Sequence, residues 1–140
     1  MPLTIIALAA ALSQSTPDPR GTWSAGAGRS QILIEDCVPS TTPSTLCGRI
    51  VALGARVDPA NPPRDKANPD PALRSRTLIG LPFLTGFRAA GRSGWSGGKI
   101  YDPDSGKSYD SKLKMRSDGG LDVSGCVLMF CKAQIWRRAN

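Results

Sequence analysis

The sequence predicts an all-β protein, an antiparallel up-and-down barrel of about eight strands with one short helix. The segment 98–109 has the pattern of a strand, a tight turn rich in aspartate and glycine, and a second strand. Residues 109–116 alternate between small or apolar side chains and charged ones, which is typical of a strand with one wet face. Many further segments are short and strand-like, and closure into a barrel would pair their edges.

The first half of the chain contains three strand-like segments. We expect the first strand to begin at residues 21–24, the apolar and β-branched residues 30–35 to form the second, and residues 48–53 to form the third. A loop rich in serine, threonine and proline at 39–44 separates the second strand from the third.

A long connection, residues 54–72, follows the third strand. It is rich in proline, and Asp70 followed by Pro71 can cap and start a short helix that runs to Arg76. Connections of this length are uncommon in compact domains, so the segment is either a lid or a crossover held by its prolines. We favour the lid.

The second half contains five further strands. Residues 77–88 are apolar but include Gly80 and Pro82, which favours a bent, partly buried strand over a helix. Glycines within 91–98 predict bulges where the barrel turns, and a strand then runs through Tyr101. The remaining strands are expected at 109–116, 121–126 and 131–138, with a hairpin turn at 118–120.

An apolar stretch at residues 3–12 has about the length of the apolar region of a signal peptide and is too short to span a bilayer. We expect residues 1–15 to be a signal peptide, with cleavage near residues 13–15, and residues 16–140 to form a single domain. The alternative is a buried or frayed helix. Export predicts a periplasmic or secreted protein that does not span the membrane.

Four cysteines, an even number, agree with export. Three pairings are possible, and we favour Cys37 with Cys47 and Cys126 with Cys131, because each pair closes a short loop between strands. Each bond would stabilise the fold by roughly 2–3 kcal/mol. A four-cysteine zinc site is the competing interpretation, but the first two cysteines are farther apart than such sites usually place them.

The net charge is +7, from eighteen basic and eleven acidic residues. The densest basic cluster, Lys112, Lys114 and Arg116, alternates as the outer face of one strand would. We interpret it as a solvated face and expect no nucleic-acid partner. An acidic partner in the cell envelope stays open.

No catalytic or cofactor motif is complete. The sequence has no histidine, which excludes nucleophile systems and metal sites that need one. Ser96 and Lys99 have the spacing of a serine–lysine pair, but on a strand they would not stack as they do on a helix. A pair of aspartates is the other catalytic possibility. We expect a protein that is not an enzyme and binds neither cofactor nor metal.

Aromatic residues are the remaining candidates for a site. In a small barrel they can simply fill the interior. The functional alternative is that some of them line a cavity for a small apolar or amphipathic ligand, oriented by tyrosine hydroxyls and Gln134. The predicted ligand-binding residues are Trp23, Phe87, Trp95, Tyr101, Tyr109 and Trp136.

Several strings together resemble one family. They include Gly-Thr-Trp at 21–23, Leu-Cys-Gly-Arg-Ile-Val at 46–51, Gly-Lys-Ile-Tyr-Asp-Pro at 98–103 and Gln-Ile-Trp-Arg at 134–137. Over residues 21–138 the chain is similar to the exported bacterial proteins catalogued as domain of unknown function 2147. The resemblance implies a lipocalin-like barrel, periplasmic or secreted, that holds a small hydrophobic ligand, and it implies no catalytic residues.

The sequence therefore predicts an exported cell-envelope protein that binds a small hydrophobic or amphipathic ligand in a barrel cavity. The alternative is a structural or interaction protein of the envelope with a filled core and a basic surface. The two differ in whether the barrel is hollow.

Overall fold

The computed structural model describes residues 1–2, 17–26, 30–54 and 57–139, and the predicted signal peptide lies almost wholly outside this range. Eight antiparallel strands form one closed barrel in which each strand pairs with its neighbours in the chain and the last pairs with the first. The strands are β1 (Gly21–Ala25), β2 (Ser30–Asp36), β3 (Leu46–Ala52), β4 (Pro82–Ala90), β5 (Gly94–Asp102), β6 (Lys107–Met115), β7 (Leu121–Val127) and β8 (Phe130–Arg138).

The predicted all-β barrel with one short helix is confirmed. The helix is a single 3-10 turn, Pro71–Leu73, and the Asp70 side chain caps it by accepting a hydrogen bond from the Ala72 amide. Within the described ranges, no helix has the length and apolar character needed to cross a bilayer. The fold class is therefore as expected, and the helix starts where predicted but ends at Leu73, before the predicted end at Arg76.

The strand boundaries differ from the prediction in β4. Strand pairing begins at Pro82, not at residue 77, because the preceding residues form turns. The glycines of β5 behave as expected: the register shifts between Trp95 and Gly98, and Gly97 has a φ of 73° that a residue with a side chain rarely adopts.

Alternation along the strands separates a buried inner face from an exposed outer face. In β6, Ser111 and Leu113 are buried, whereas Asp110, Lys112 and Lys114 are exposed, as the sequence predicted. Directly paired residues share a face, so the register extends this assignment to the neighbouring strands. The largest fully buried side chains of the core are Trp23, Trp136, Phe87, Ile32, Ile34, Leu46, Leu81, Leu84, Leu113 and Leu121.

The two ends of the barrel are built differently. The lower end carries residues 17–20 and the turns that follow β4 and β6, and the upper end carries the 53–81 connection and the turns that follow β5 and β7. Side chains fill the middle: a Cβ atom on Gly98 would lie 2.5 Å from the Phe87 ring, so that ring lies directly against the β5 backbone. The barrel is thus packed along part of its length.

Arg138 fastens the lower end. Its guanidinium lies 4.1 Å from the centre of the Trp23 ring and donates hydrogen bonds of 2.6 Å to the backbone oxygens of Asp18 and Arg20. The Trp23 indole donates a further bond of 2.8 Å to the oxygen of Pro19. One arginine at the end of the last strand therefore holds the first strand and the segment before it.

The seam between β1 and β8 is short. Only two residue pairs join these strands, Trp23 with Arg138 and Ser24 with Arg137. From Phe130 onwards, β8 pairs with β7 along one edge. Along its other edge, among the described residues, β8 pairs with no strand until Arg137. Within the described part of the chain, the upper half of the β7–β8 hairpin is therefore paired with a strand along one edge only.

Both disulfides form as favoured from the sequence. Cys37 bonds Cys47 across the loop between β2 and β3, and Cys126 bonds Cys131 across the β7–β8 hairpin. Every cysteine is therefore used, one bond at each end of the barrel.

Replacing Arg138 by alanine should destabilise the fold. The loss of the ring contact and of two charge-assisted hydrogen bonds is expected to lower the free energy of unfolding by about 2–4 kcal/mol. Urea denaturation measures the effect as a lower midpoint at an unchanged slope. The matched control is Arg137→Ala, because Arg137 forms an exposed ion pair with Asp118 and its loss should change stability by less than about 1 kcal/mol. Equal losses of stability in both variants would contradict the proposed role of Arg138 in holding the first strand and the segment before it.

Candidate functional site

A cavity of about 570 Å³ opens at the upper end of the barrel, above the packed core. Its walls are formed mostly by inner-facing residues of β5 to β8, with the outer-facing Tyr101 at one edge and Phe83 at the start of β4 on one side. Its volume lies within the range of small-molecule sites. The lining residues are Phe83, Ile100, Tyr101, Asp102, Tyr109, Val123, Gly125, Val127, Lys132 and Gln134.

The floor of the cavity is apolar and rests on the core. Val123 is almost fully buried and pairs with Leu113 of the core, and Ile100 pairs with the buried Leu84. The ring of Phe83 lies 6.1 Å from that of Trp136, with the planes tilted by 31°. An apolar part of a ligand would therefore meet a preformed surface whose side chains are held from below.

Polar groups are concentrated towards the rim. Gln134 pairs with Val123 and Lys132 pairs with Gly125, so both belong to inner-facing positions, although both are exposed. Asp102 is fixed by the turn after β5, because its carboxylate accepts hydrogen bonds from the Ser105 hydroxyl and the Asp104 amide. The cavity thus combines an apolar floor with a polar rim, which suits an amphipathic molecule.

The structure separates the six predicted ligand-binding residues. Tyr101 and Tyr109 line the cavity. Trp23, Phe87 and Trp136 are almost completely buried in the core and have no exposed surface to offer a ligand in this conformation. Trp95 pairs with Leu113 nearer the lower end and packs against the core from there.

Most of the lining was missed because the sequence argument considered aromatic rings alone. Alternation along β7 places Val123, Gly125 and Val127 on the same face as the buried Leu121. The same rule places Lys132 on the face of Trp136, together with Gln134, which the sequence analysis had already named as a ligand-orienting residue. Marking every second residue from an apolar position of each strand would have identified these positions, because the alternation is visible in the sequence.

The 53–81 connection is fixed to the outer wall of the barrel beside the cavity. Tyr101 pairs with Ser108 on the outer face of the sheet and donates a hydrogen bond to the carboxylate of Asp65. Asp65 is fully buried and also accepts bonds from Asn68 at 2.8 Å and Arg76 at 2.9 Å. This group of four residues, the Asp65 cluster, ties the middle of the connection to β5.

A close backbone contact supports the same arrangement. A Cβ atom on Gly106 would lie 1.9 Å from the backbone oxygen of Ala67, so only glycine allows the turn after β5 to approach the connection this closely. The sequence favoured a lid for this connection. In the structure, the middle of the connection lies on the outer wall of the barrel. Its last residues do reach the interior, because Leu81 is buried in the core.

The Asp65 cluster shifts the pKa of both its acids. Burial by itself raises the pKa of Asp65, but the hydrogen bonds from Tyr101, Asn68 and Arg76 outweigh burial and hold that pKa below its usual value. Burial, together with the bond to Asp65, raises the pKa of Tyr101 to about 12. At neutral pH the cluster therefore holds a charged carboxylate and a neutral phenol.

The catalytic alternatives find no support in the arrangement of the described residues. Lys99 forms its ion pair with Asp110 on the neighbouring strand, and Ser96 lies beyond the bulge, paired with Arg88. Among the residues that line the cavity, Asp102 is the one carboxylate. Neither a serine–lysine pair nor a pair of acids is assembled there.

Titration of Tyr101 should reveal the cluster directly. The chain has two tyrosines, so Tyr101 is the only one left in Tyr109→Phe. Its absorbance change at 295 nm should have a midpoint near pH 12, well above the value of about 10 for a free phenol. Adding Asp65→Asn should move the midpoint down, because the phenolate would no longer face a carboxylate. A midpoint near pH 10 in Tyr109→Phe itself would contradict the geometry.

Acid should weaken the attachment of the connection. Because the folded pKa of Asp65 is below its unfolded value of about 3.9, its contribution to stability is present above that pH and is lost as pH falls through the folded pKa. Stability measured by urea denaturation should therefore fall less steeply between about pH 5 and pH 2 in Asp65→Asn than in the natural chain. Asp58→Asn, which alters an exposed carboxylate of the same connection, is the control. Parallel curves for all three proteins would refute the assignment.

Comparisons with known proteins agree with the architecture. A solved structure, protein HP1028 from Helicobacter pylori, described as belonging to the lipocalin family, superposes with a TM-score of 0.72 at 23% sequence identity. The match covers 89% of this chain and 85% of that one. At this identity the similarity shows the fold. A search of curated proteins matched none.

The sequence itself carries the family assignment. A family model described as "Uncharacterized protein conserved in bacteria", domain of unknown function 2147, matches residues 21–138, from the first residue of β1 to the last of β8. The match therefore includes Trp23 and Arg138 at the seam, the Asp65 cluster and the whole lining of the upper cavity. This chain, a lipocalin-like barrel, belongs to the bacterial family of domain of unknown function 2147.

Proposed function

We propose that this protein is an exported, non-catalytic carrier that binds a small amphipathic molecule in the cavity at the upper end of its barrel. The observation that carries the proposal is the cavity of about 570 Å³ with an apolar floor and a polar rim. Affinity comes mainly from burying apolar ligand surface, at about 25 cal/mol per Å² before the costs of association are subtracted. Tyr109 and Gln134 orient the polar part.

Export is supported by two features. The apolar stretch at residues 3–12 has the character of a signal peptide, and both disulfides require an oxidising compartment to persist. We therefore place the protein in the periplasm or outside the cell, where a carrier could exchange its ligand with other components of the envelope.

The residues proposed to contact the ligand follow from the cavity, so the set changes from the six aromatic residues of the sequence analysis. Tyr109 remains, whereas Tyr101 borders the cavity from the outer face, where its hydroxyl is bonded to Asp65. Phe87, Trp23 and Trp136 support the floor from below, and Trp95 lies towards the other end. Phe83, Ile100, Val123 and Gly125 supply the apolar contacts, with Lys132 and Gln134 at the rim.

A second candidate function is the binding of an acidic envelope partner on the outer wall. A shallow groove of about 580 Å³ crosses the outer faces of β5 to β8, with Lys112 and Lys114 beside small residues such as Ser96, Ser124 and Ala133. Two lysines next to several small side chains could receive an acidic segment, and Trp95, one of the residues predicted to bind a ligand, also lines this groove. Asp122 in the same groove weakens the positive charge, and we therefore rank the cavity first.

Filling the cavity should abolish ligand binding. Gly125 lines it, and a Cβ there would meet its nearest neighbour, Ile100, at 3.7 Å, an ordinary contact. Gly125→Phe should therefore lower the affinity for a dansyl-labelled fatty acid at least about tenfold. The probe's fluorescence is titrated against purified protein, and circular dichroism checks the fold.

Ser124→Phe is the matched control, because Ser124 is the preceding residue of β7 and belongs to the outer groove. It should bind the probe as the natural chain does. Lost binding in Ser124→Phe with intact binding in Gly125→Phe would transfer the site to the outer groove. No saturable binding of the probe by the natural chain, repeated with a panel of other amphiphiles, would refute the carrier.

A further inference from the structure

The tip of the β7–β8 hairpin exposes four consecutive apolar residues. Val127, Leu128, Met129 and Phe130 are 55%, 93%, 86% and 80% exposed, and together we call them the apolar tip. Exposed single apolar residues are common on soluble proteins, but a contiguous group at one protruding turn indicates a surface that contacts another molecule.

A disulfide and an unusual backbone angle define the conformation of the apolar tip. The Cys126–Cys131 disulfide joins the pair of residues directly below it, and Val127 pairs with Phe130 above the bond. Leu128 has a φ of 55°, in the left-handed region where glycine or asparagine is usual. A leucine at such a position costs conformational energy, and burial does not offset this cost because the side chain is 93% exposed.

The tip also extends beyond its neighbours. β6 pairs with β7 as far as Cys126, and β1 pairs with β8 only at Arg137 and Arg138. Among the described residues, no strand flanks the tip on either side. Its side chains therefore form a small, convex apolar projection.

The tip is continuous with the cavity. Val127 lines the rim, and alternation places it on the same inner face as Gly125 and Val123 deeper in the barrel. Phe130 pairs with Val127 and so shares that face. An apolar path therefore leads from the tip to the cavity floor.

We propose that the apolar tip inserts into the surface of a lipid bilayer and docks the barrel there with its cavity mouth facing the membrane. The convex shape and the small number of residues favour lipid over a protein partner, because a stable protein interface uses about 20 or more residues on each side. The basic net charge adds attraction to anionic lipids.

Two lysines lie where such attraction would act. Lys132 borders the cavity rim together with Val127, and Lys112 borders a surface depression together with Leu128. The nearest acid in that depression, Asp110, is paired with Lys99. Cations beside an exposed apolar turn are the combination that binds an anionic membrane surface.

Vesicle sedimentation tests the proposal with the protein as expressing cells release it, its N-terminus determined by mass spectrometry. The natural chain should bind vesicles of phosphatidylcholine containing phosphatidylglycerol, and more weakly those of phosphatidylcholine alone. Leu128→Asn/Met129→Ser keeps a residue that tolerates the left-handed turn and should lower partitioning at least about tenfold. The control is Ile135→Ser, which removes an exposed apolar side chain from the outer wall of β8 and should change little.

A second measurement tests membrane insertion by a change in fluorescence and does not depend on a loss of binding. Met129→Trp should show a blue-shifted emission on vesicles, and lipids brominated in the acyl chains should quench the difference between its spectrum and that of the natural chain. No vesicle binding by the natural chain, or equal binding by the double variant, would overturn the proposal. A dimer that the double variant loses, seen by sedimentation without lipid, would overturn it in favour of a second copy of the chain.

The proposal stands apart from ligand binding. Gly125→Phe fills the cavity but leaves the tip unchanged, so it should bind vesicles as the natural chain does. Failure of the carrier function and failure of membrane docking would therefore be seen in different variants.

Discussion

The contact of Arg138 with the Trp23 ring reinforces the seam at which the barrel closes. The strands β1 and β8 share only two residue pairs, which is a weak seam for a sheet that must have no open edge. The guanidinium strengthens this seam with a cation–π contact and with two hydrogen bonds to the segment before β1. These bonds hold the backbone around Pro19, whose oxygen accepts the Trp23 indole proton. The lower end is thereby sealed, and the core can be packed from that end upward.

The core fills only part of the barrel because the large side chains belong to the lower and middle layers. Trp23, Phe87 and Trp136 occupy the interior there, whereas the upper layers of β7 and β8 present Gly125, Lys132 and Gln134 to the inside. A glycine contributes no volume, and a lysine or glutamine at the rim extends towards water. The barrel therefore combines a filled core in its lower part with an open cavity at its upper end.

The sequence predicted what depends on local pattern. Several features each depend on about ten neighbouring residues or fewer: the alternation in β6, the cap at Asp70, the bulges of β5 and the short loops between paired cysteines. The fold class and both disulfides could therefore be inferred from the sequence. The cavity could be inferred only in part, because which rings are buried depends on register and bulges. Tyr101 was assigned to the interior, yet the register of β5 places it on the outer face, where it binds Asp65. Asp65 itself gave no signal, since its burial arises from contacts between segments that are distant in the chain.

Within the described part of the chain, the upper end of the barrel has fewer strand pairs around β8 than the lower end. Among the described residues, β8 has a neighbour on only one side from Phe130 until Arg137, so the β7–β8 hairpin can project and the cavity is bounded there by a single hairpin. An unpaired edge and exposed apolar residues invite aggregation unless something limits them. The Cys126–Cys131 bond limits the motion of the hairpin, and Lys132 places a charge on its free edge. A hairpin restrained in this way can keep apolar side chains in water at the same end of the barrel as the mouth of the cavity.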